Sequence, residues 1–312
     1  MGKLSGFTSG RRKKVGLALS GGSIRGAAHI GVLKVFRREG IPVDFIAGTS
    51  IGALVGGLFA LGWTPESMED VAQRLSRYDL FDPGIRPLST FAMLLKSFRA
   101  GRANRLLSLV PPPRGLLEGR KLERLLRRWT GPARMEELQI PTALMATELK
   151  SGRPVVFTSR QVGEAIQKEL PEAIVLTGIP LSWAIRASSA IPGTFYPFEF
   201  GDLQLVDGGV TDNVPVEVLR PMGAEVIIAV DLSRVMPRAE PLESIDEIIS
   251  QATDIMIRRI SQLSLRRFAD VVIAPEVPDL SLKDIDRAGE ALEAGERAAE
   301  EALPIIQAAL EG

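Results

Sequence analysis

Cysteine is absent from the 312-residue chain, histidine occurs once, and aromatic residues make up only 5%. Without thiols there is no disulfide framework, no cysteine nucleophile and no cysteine-bearing metal site. The single imidazole, His29, excludes histidine-rich metal sites and constrains every hydrolytic mechanism that relies on a histidine base. Net charge is missing as well. Lys+Arg and Asp+Glu both total 38, so nothing in the overall balance argues for nucleic acid or another polyanion. One charge-free stretch, Phe45 to Trp63, has 19 residues but carries five glycines and the polar pair Thr49-Ser50. A buried strand, turn and helix is a better reading of it than a membrane span.

What is present is ordinary globular composition, 45% hydrophobic and 24% charged. The charge is segregated. Arg77 to Arg134 holds 13 basic and 4 acidic residues, whereas Met236 to the C-terminus holds 8 basic and 16 acidic. The N-terminal MGKLSGFTSGRRKK has no apolar core of a secretory signal, and Gly6 stands where a myristoylation motif needs Ser or Thr. Residues 1–14 read as a disordered basic tail, and the expected location is cytoplasmic, with peripheral attachment to the inner membrane.

Apolar Val15 to Leu19 reads as a strand buried on both faces, broken by Ser20-Gly21-Gly22-Ser23. Ala27 to Glu39 follows with helical periodicity and stops at Gly40. Phe45-Ile46-Ala47 is a second strand and Ile51 to Leu61 a second helix. Strand, helix, strand, helix is the opening of a parallel α/β sheet. Further strands are expected at 142–146, 154–157, 204–206, 226–230 and 271–273. Ser244 to Phe268 is expected as a long helix, and a last acidic helix closes the chain. Between Thr64 and Ile140 the texture changes to Pro/Gly breaks and short amphipathic helices such as 119–129.

Gly48-Thr49-Ser50-Ile51-Gly52 fits G-x-S-x-G at a strand-to-helix turn. Such a turn needs small flanking residues and lifts the serine oxygen above the sheet edge at a helix N-terminus. Ser50 is therefore a candidate nucleophile. In the α/β-hydrolase order a histidine base would follow it, and none does. His29 precedes Ser50 inside an apolar helical pattern and reads as a packed helix residue, which leaves a carboxylate as the base. Gly21-Gly22-Ser23-Ile24-Arg25-Gly26 joins the first strand to the first helix. It is neither a Walker loop nor a dinucleotide fingerprint, but its amides suit an anion or oxyanion. Val206-Asp207-Gly208-Gly209 ends a strand in a turn. It is flanked by Arg186-Ala187-Ser188-Ser189-Ala190-Ile191-Pro192-Gly193 upstream and Asp212-Asn213-Val214-Pro215-Val216 downstream.

With the Gly-rich loop, G-x-S-x-G, the Ala-Ser-x-Ala-x-Pro stretch and Asp-Gly-Gly in this order along the chain, from Val15 to about Asp231, the protein resembles the bacterial patatin-like phospholipases, serine acyl hydrolases that use a Ser–Asp dyad. The resemblance implies Ser50 as nucleophile and Asp207 as its base. It also implies an oxyanion hole of amides around Gly21, Gly22 and Ser23, with Arg25 supporting the loop, and no metal or cofactor. The chain departs from the family at Ser23, where Gly is usual. The implied fold is three-layer α/β/α with a mainly parallel central sheet. Its catalytic domain would run over 15–235 with an inserted helical cap at 64–140, followed by a C-terminal helical extension over 236–312. The expected substrate is a lipid ester, a phospholipid or lysophospholipid. A short-chain carboxylesterase and a lipid-binding regulatory protein are the competing readings. The basic segment 77–134 is expected to meet an anionic membrane surface, and the same apolar surface could serve homo-oligomer formation.

Overall fold

The computed structural model describes residues 12–76, 79, 114–233, 242–243, 245–278, 280 and 284–311. Most of the basic segment 77–134, and with it the middle of the expected cap, lies outside these residues.

The chain enters at β1 (Val15–Leu19), whose five residues are all buried, as a continuous apolar run in the interior of a sheet requires. Helix α1 (Ala27–Glu39) ends at Gly40, which takes the left-handed conformation at φ 68° that a helix C-terminus favours. Strand β2 (Phe45–Thr49) leads into α2 (Ile51–Leu61). Helix α3 (Pro65–Arg74) starts with Thr64, whose side chain accepts the Ser67 N–H, and with Pro65 in its first turn. After α4 (Arg120–Thr130) come β3 (Thr142–Glu148), β4 (Pro154–Phe157), α5 (Arg160–Glu169), β5 (Ile174–Leu176) and α6 (Leu181–Ser188). The chain then forms β6 (Phe198–Phe200), β7 (Leu203–Asp207), the short α7 (Leu219–Met222) and β8 (Val226–Val230). It closes with α8 (Ile245–Phe268), β9 (Val271–Ile273) and α9 (Ala288–Glu311).

The sheet runs β5-β4-β3-β2-β1-β8-β9, with β7 attached to β3 and β6 to β7. Pairings β1–β2, β1–β8, β2–β3, β4–β5 and β8–β9 are parallel, while β3–β4, β3–β7 and β6–β7 are antiparallel. Side chains alternate across β1 and β8. Leu17, Leu19, Ile228 and Val230 pack with α1, α2 and α9 on one face. Ala18, Ile227 and Ala229 pack with residues of α5, α7 and α8 on the other. This is the three-layer α/β/α arrangement expected from the sequence. The final helix packs tightly on the first: a Cβ on Gly31 would lie 2.1 Å from the Leu292 carbonyl oxygen, and one on Gly295 would lie 2.0 Å from that of Ala28.

One feature of the pairing positions the site. β3 uses a single edge for two partners. Its first half takes β2 in parallel, with Thr49 opposite Met145. Its second half takes β7 antiparallel, with Asp207 opposite Ala146. The C-terminal ends of β2 and β7 therefore meet head to head at adjacent residues of β3, and the residues that follow Thr49 are brought to Asp207.

Candidate active site

Ser50 sits between β2 and α2 at φ 56° and ψ −119°, a conformation sparsely populated by residues with a side chain. Two glycines make the turn feasible. A Cβ on Gly52 would fall 2.2 Å from the Leu19 carbonyl oxygen, and one on Gly48 would fall 2.5 Å from that of Gly52. Holding Ser50 in this geometry costs of order 1–3 kcal/mol, and the neighbourhood fixes it. The Ser50 N–H donates to Ser188 Oγ at 2.8 Å, and Thr49 Oγ1 donates to the Asp212 carbonyl at 2.8 Å. Ser188 belongs to the Ala-Ser-Ser-Ala stretch singled out in the sequence, where its part in locking the turn had no local signal.

The Ser50 side chain lies beside the carboxyl of Asp207 and favours its ionised form. Both residues are buried, with 6% and 7% of their surface exposed. Asp207 Oδ1 also accepts the Gly209 N–H at 2.8 Å, and the Asp207 N–H donates to the Ala190 carbonyl at 3.0 Å. Burial pushes the Asp207 carboxyl up to about 6, against the lowering effects of Ser50 and of the Gly209 N–H. A carboxylate with that affinity can accept a proton from a neighbouring hydroxyl.

The glycine loop runs beside Ser50. A Cβ on Gly21 would stand 3.5 Å from that of Ser50. The Gly21 N–H itself donates to the Asn213 carbonyl at 3.1 Å, so it anchors the loop to the segment after Asp207. Ser23 adopts the left-handed conformation at φ 54°, which explains why Gly suits this position, and its buried Oγ has no hydrogen-bond partner among the described residues. Arg25 Nε donates back to the Gly22 carbonyl at 3.3 Å. His29 is packed as expected: its Nε2–H donates to the Ser20 carbonyl at 2.8 Å, and burial lowers it to about 4, so it is neutral. It holds the entry to the loop. Asp212 is the second carboxyl raised by its surroundings, to about 7, through burial and then the negative charge of Glu217.

Ser50, Ser23 and Ser189 line a cavity of about 170 Å³ whose other walls are apolar. Ile24 and Ile30 come from the loop and α1, Leu54 and Leu58 from α2, Met68 from α3, and Leu126 and Trp129 from α4. The described flanks of the 64–140 region thus wall the cavity. Its shape was not readable beforehand, because each wall residue looks like ordinary helix packing in its own segment.

The geometry, a strained serine next to a buried aspartate beside a glycine loop, has a counterpart in the sequence, which matches the patatin-like phospholipase family over residues 17–220. The chain belongs to that family. Among its patatin-like relatives, an uncharacterized NTE family protein of Mycobacterium tuberculosis is 34% identical over 220 residues, covering 70% of this chain and 49% of the relative. Lysophospholipase NTE1 of Debaryomyces hansenii is 30% identical over 227 residues, covering 72% of this chain and 12% of the yeast protein. The patatin-like chain therefore spans about half the length of the mycobacterial relative and far less of the yeast one. Human group IVD cytosolic phospholipase A2 aligns in structure with a TM-score of 0.46 at 12% identity, over 96% of this chain and 63% of its own.

Proposed function

We propose that this patatin-like protein is a lipid acyl hydrolase that cleaves carboxyl esters of phospholipids and lysophospholipids with Ser50 and Asp207. The observation that carries the reading is a buried, basic Asp207 brought beside Ser50 at the edge of a largely apolar cavity. In the first step Ser50 Oγ attacks the ester carbonyl carbon as its proton passes to Asp207. The amides of Gly22 and Ser23 hold the developing oxyanion, with Gly21 and Arg25 fixing the loop. Collapse of the tetrahedral intermediate breaks the C–O bond, and the leaving alcohol takes the proton back from Asp207. Water, deprotonated by Asp207, then attacks the acyl-Ser50 ester to give a second tetrahedral intermediate held by the same amides, whose C–Oγ bond breaks to release the acid as Ser50 Oγ takes the proton back from Asp207. The cavity holds the first part of the acyl chain. A volume of about 150 Å³ is enough for a six-carbon ring, so the buried portion corresponds to roughly six carbons and the remainder extends outward.

Residues 64–140 act in this reading as a cap, and the basic segment 77–134 faces an anionic lipid surface. The test is labelling by a fluorophosphonate, read by intact mass, together with hydrolysis of lysophosphatidylcholine. Wild type is expected to gain one adduct and turn over, while Ser50→Ala gains none and loses activity by roughly 10³-fold or more. Labelling that survives in Ser50→Ala would refute the assignment.

A further inference from the structure

Helix α8 presents an unusual surface. Ser261 and Leu265 are buried, and Leu265 and Phe268 join the core on that face of the sheet, which defines the inward side of the helix. At 3.6 residues per turn, Ile248, Ile249, Ile255, Met256, Ile260 and Leu263 fall on the opposite half, and these six side chains are 45–61% exposed. Over residues 247–268 the charges on that outward half are Arg259, Arg266 and Arg267, while Glu247, Asp254 and Arg258 lie on the inward half. A contiguous stripe of this size is a contact surface rather than scattered apolar exposure.

We infer that the outward face of α8 docks this protein onto anionic lipid bilayers, with the six apolar side chains entering the headgroup boundary and Arg259, Arg266 and Arg267 meeting the negative surface. The charge decides between occupants. A lipid surface supplies the anions that three arginines beside an apolar stripe require. A second copy of the chain would bring the same cations and no acid to its matching stripe. No helix among the described residues is long and apolar enough to cross a membrane, so the contact is one of lying on the surface. The inference shares with the proposed function the premise that the substrate is a lipid, but docking does not require turnover and is measured without it.

The absence of cysteine makes the test clean. In a Ser50→Ala background, Met256→Cys introduces the one thiol of the chain, which takes a polarity-sensitive fluorophore. The probe is expected to shift to the blue on vesicles of phosphatidylcholine mixed with phosphatidylglycerol, and to shift much less on phosphatidylcholine alone or in high salt. Co-sedimentation of the Ile249→Glu/Met256→Glu/Leu263→Glu variant should show vesicle affinity lowered at least about tenfold. Arg259→Gln/Arg266→Gln/Arg267→Gln should lose about a hundredfold in its preference for the anionic mixture. Hydrolysis of a soluble short-chain ester by these two variants, made with Ser50 intact, should be unchanged. A probe already blue-shifted without vesicles would mean that another part of the chain or a second copy covers the face, and would overturn the inference. So would equal response to both vesicle types. Loss of Ser50 labelling or turnover elsewhere would sink the proposed function and leave this result standing.

Discussion

Asp207→Asn should inactivate the protein and stabilise it, and the second effect has a magnitude that the structure supplies. The carboxyl is buried beside Ser50 and its folded value lies near 6, against an ordinary 3.8. The folded state therefore holds its proton more tightly than the unfolded chain does, and folding becomes less favourable as pH rises from about 4 through about 6. At pH 8 the ionised carboxylate costs about 3 kcal/mol of stability, and at pH 4 only about half a kcal/mol, at 1.36 kcal/mol for each tenfold change in proton affinity. Asparagine keeps an oxygen for the Gly209 N–H and carries no charge to bury. Urea unfolding of wild type and variant, at pH 4 and pH 8, isolates the term, because the other titrating groups are common to both proteins. The variant is expected to gain roughly 2–3 kcal/mol over wild type on going from pH 4 to pH 8. In the wild type, kcat/KM should rise through about pH 6 as the carboxylate forms. A stability difference that does not change with pH would refute the claim that Asp207 is a buried base with raised affinity.

Three further outcomes follow from the same geometry. Gly52→Ala places a methyl 2.2 Å from the Leu19 carbonyl oxygen, which backbone neighbours cannot easily yield. It should destabilise by about 3 kcal/mol in denaturant titration and slow fluorophosphonate labelling. Ser23→Gly removes a side chain from a residue at φ 54° and should raise stability by about 1 kcal/mol, so a loss would show that the Ser23 side chain is held by something favourable. Leu126→Trp fills part of the 170 Å³ cavity and should lower kcat/KM for long-chain esters by at least about tenfold while sparing acetate esters.

The parts of this molecule legible in its sequence are those whose physics is local. β1 and β8 are unbroken apolar runs because both their faces are covered. Ser50 was visible because a strand, two glycines and an apolar helix bracket it within a few residues. Gly40 and Gly62 marked helix ends through the left-handed conformation they adopt. Strands β5 and β6, three residues each, carry too few side chains for a pattern and went unread. Helices α5 and α6 were likewise not distinguished, and β2 and β3 extend two residues beyond their apolar cores. At the site, the likeness of motif order pointed to Asp207, but its approach to Ser50 depends on an antiparallel pairing between distant segments. The locking roles of Ser188 and Asn213, the commitment of the Gly21 amide and the cavity walls arise only once the sheet is assembled.

The shared edge of β3 has a consequence for how the family's chemistry can vary. Because β2 and β7 dock on consecutive residues of one strand, the spacing between hydroxyl and carboxylate is counted in whole residues and has no continuous adjustment. Inserting one residue between Met145 and Ala146, or deleting either of them, would turn the rest of β3 over and carry Asp207 away with it. Loops and helices around the site can drift in length and composition, but the distance between the Ser50 hydroxyl and the Asp207 carboxyl changes only in steps, each large enough to separate them.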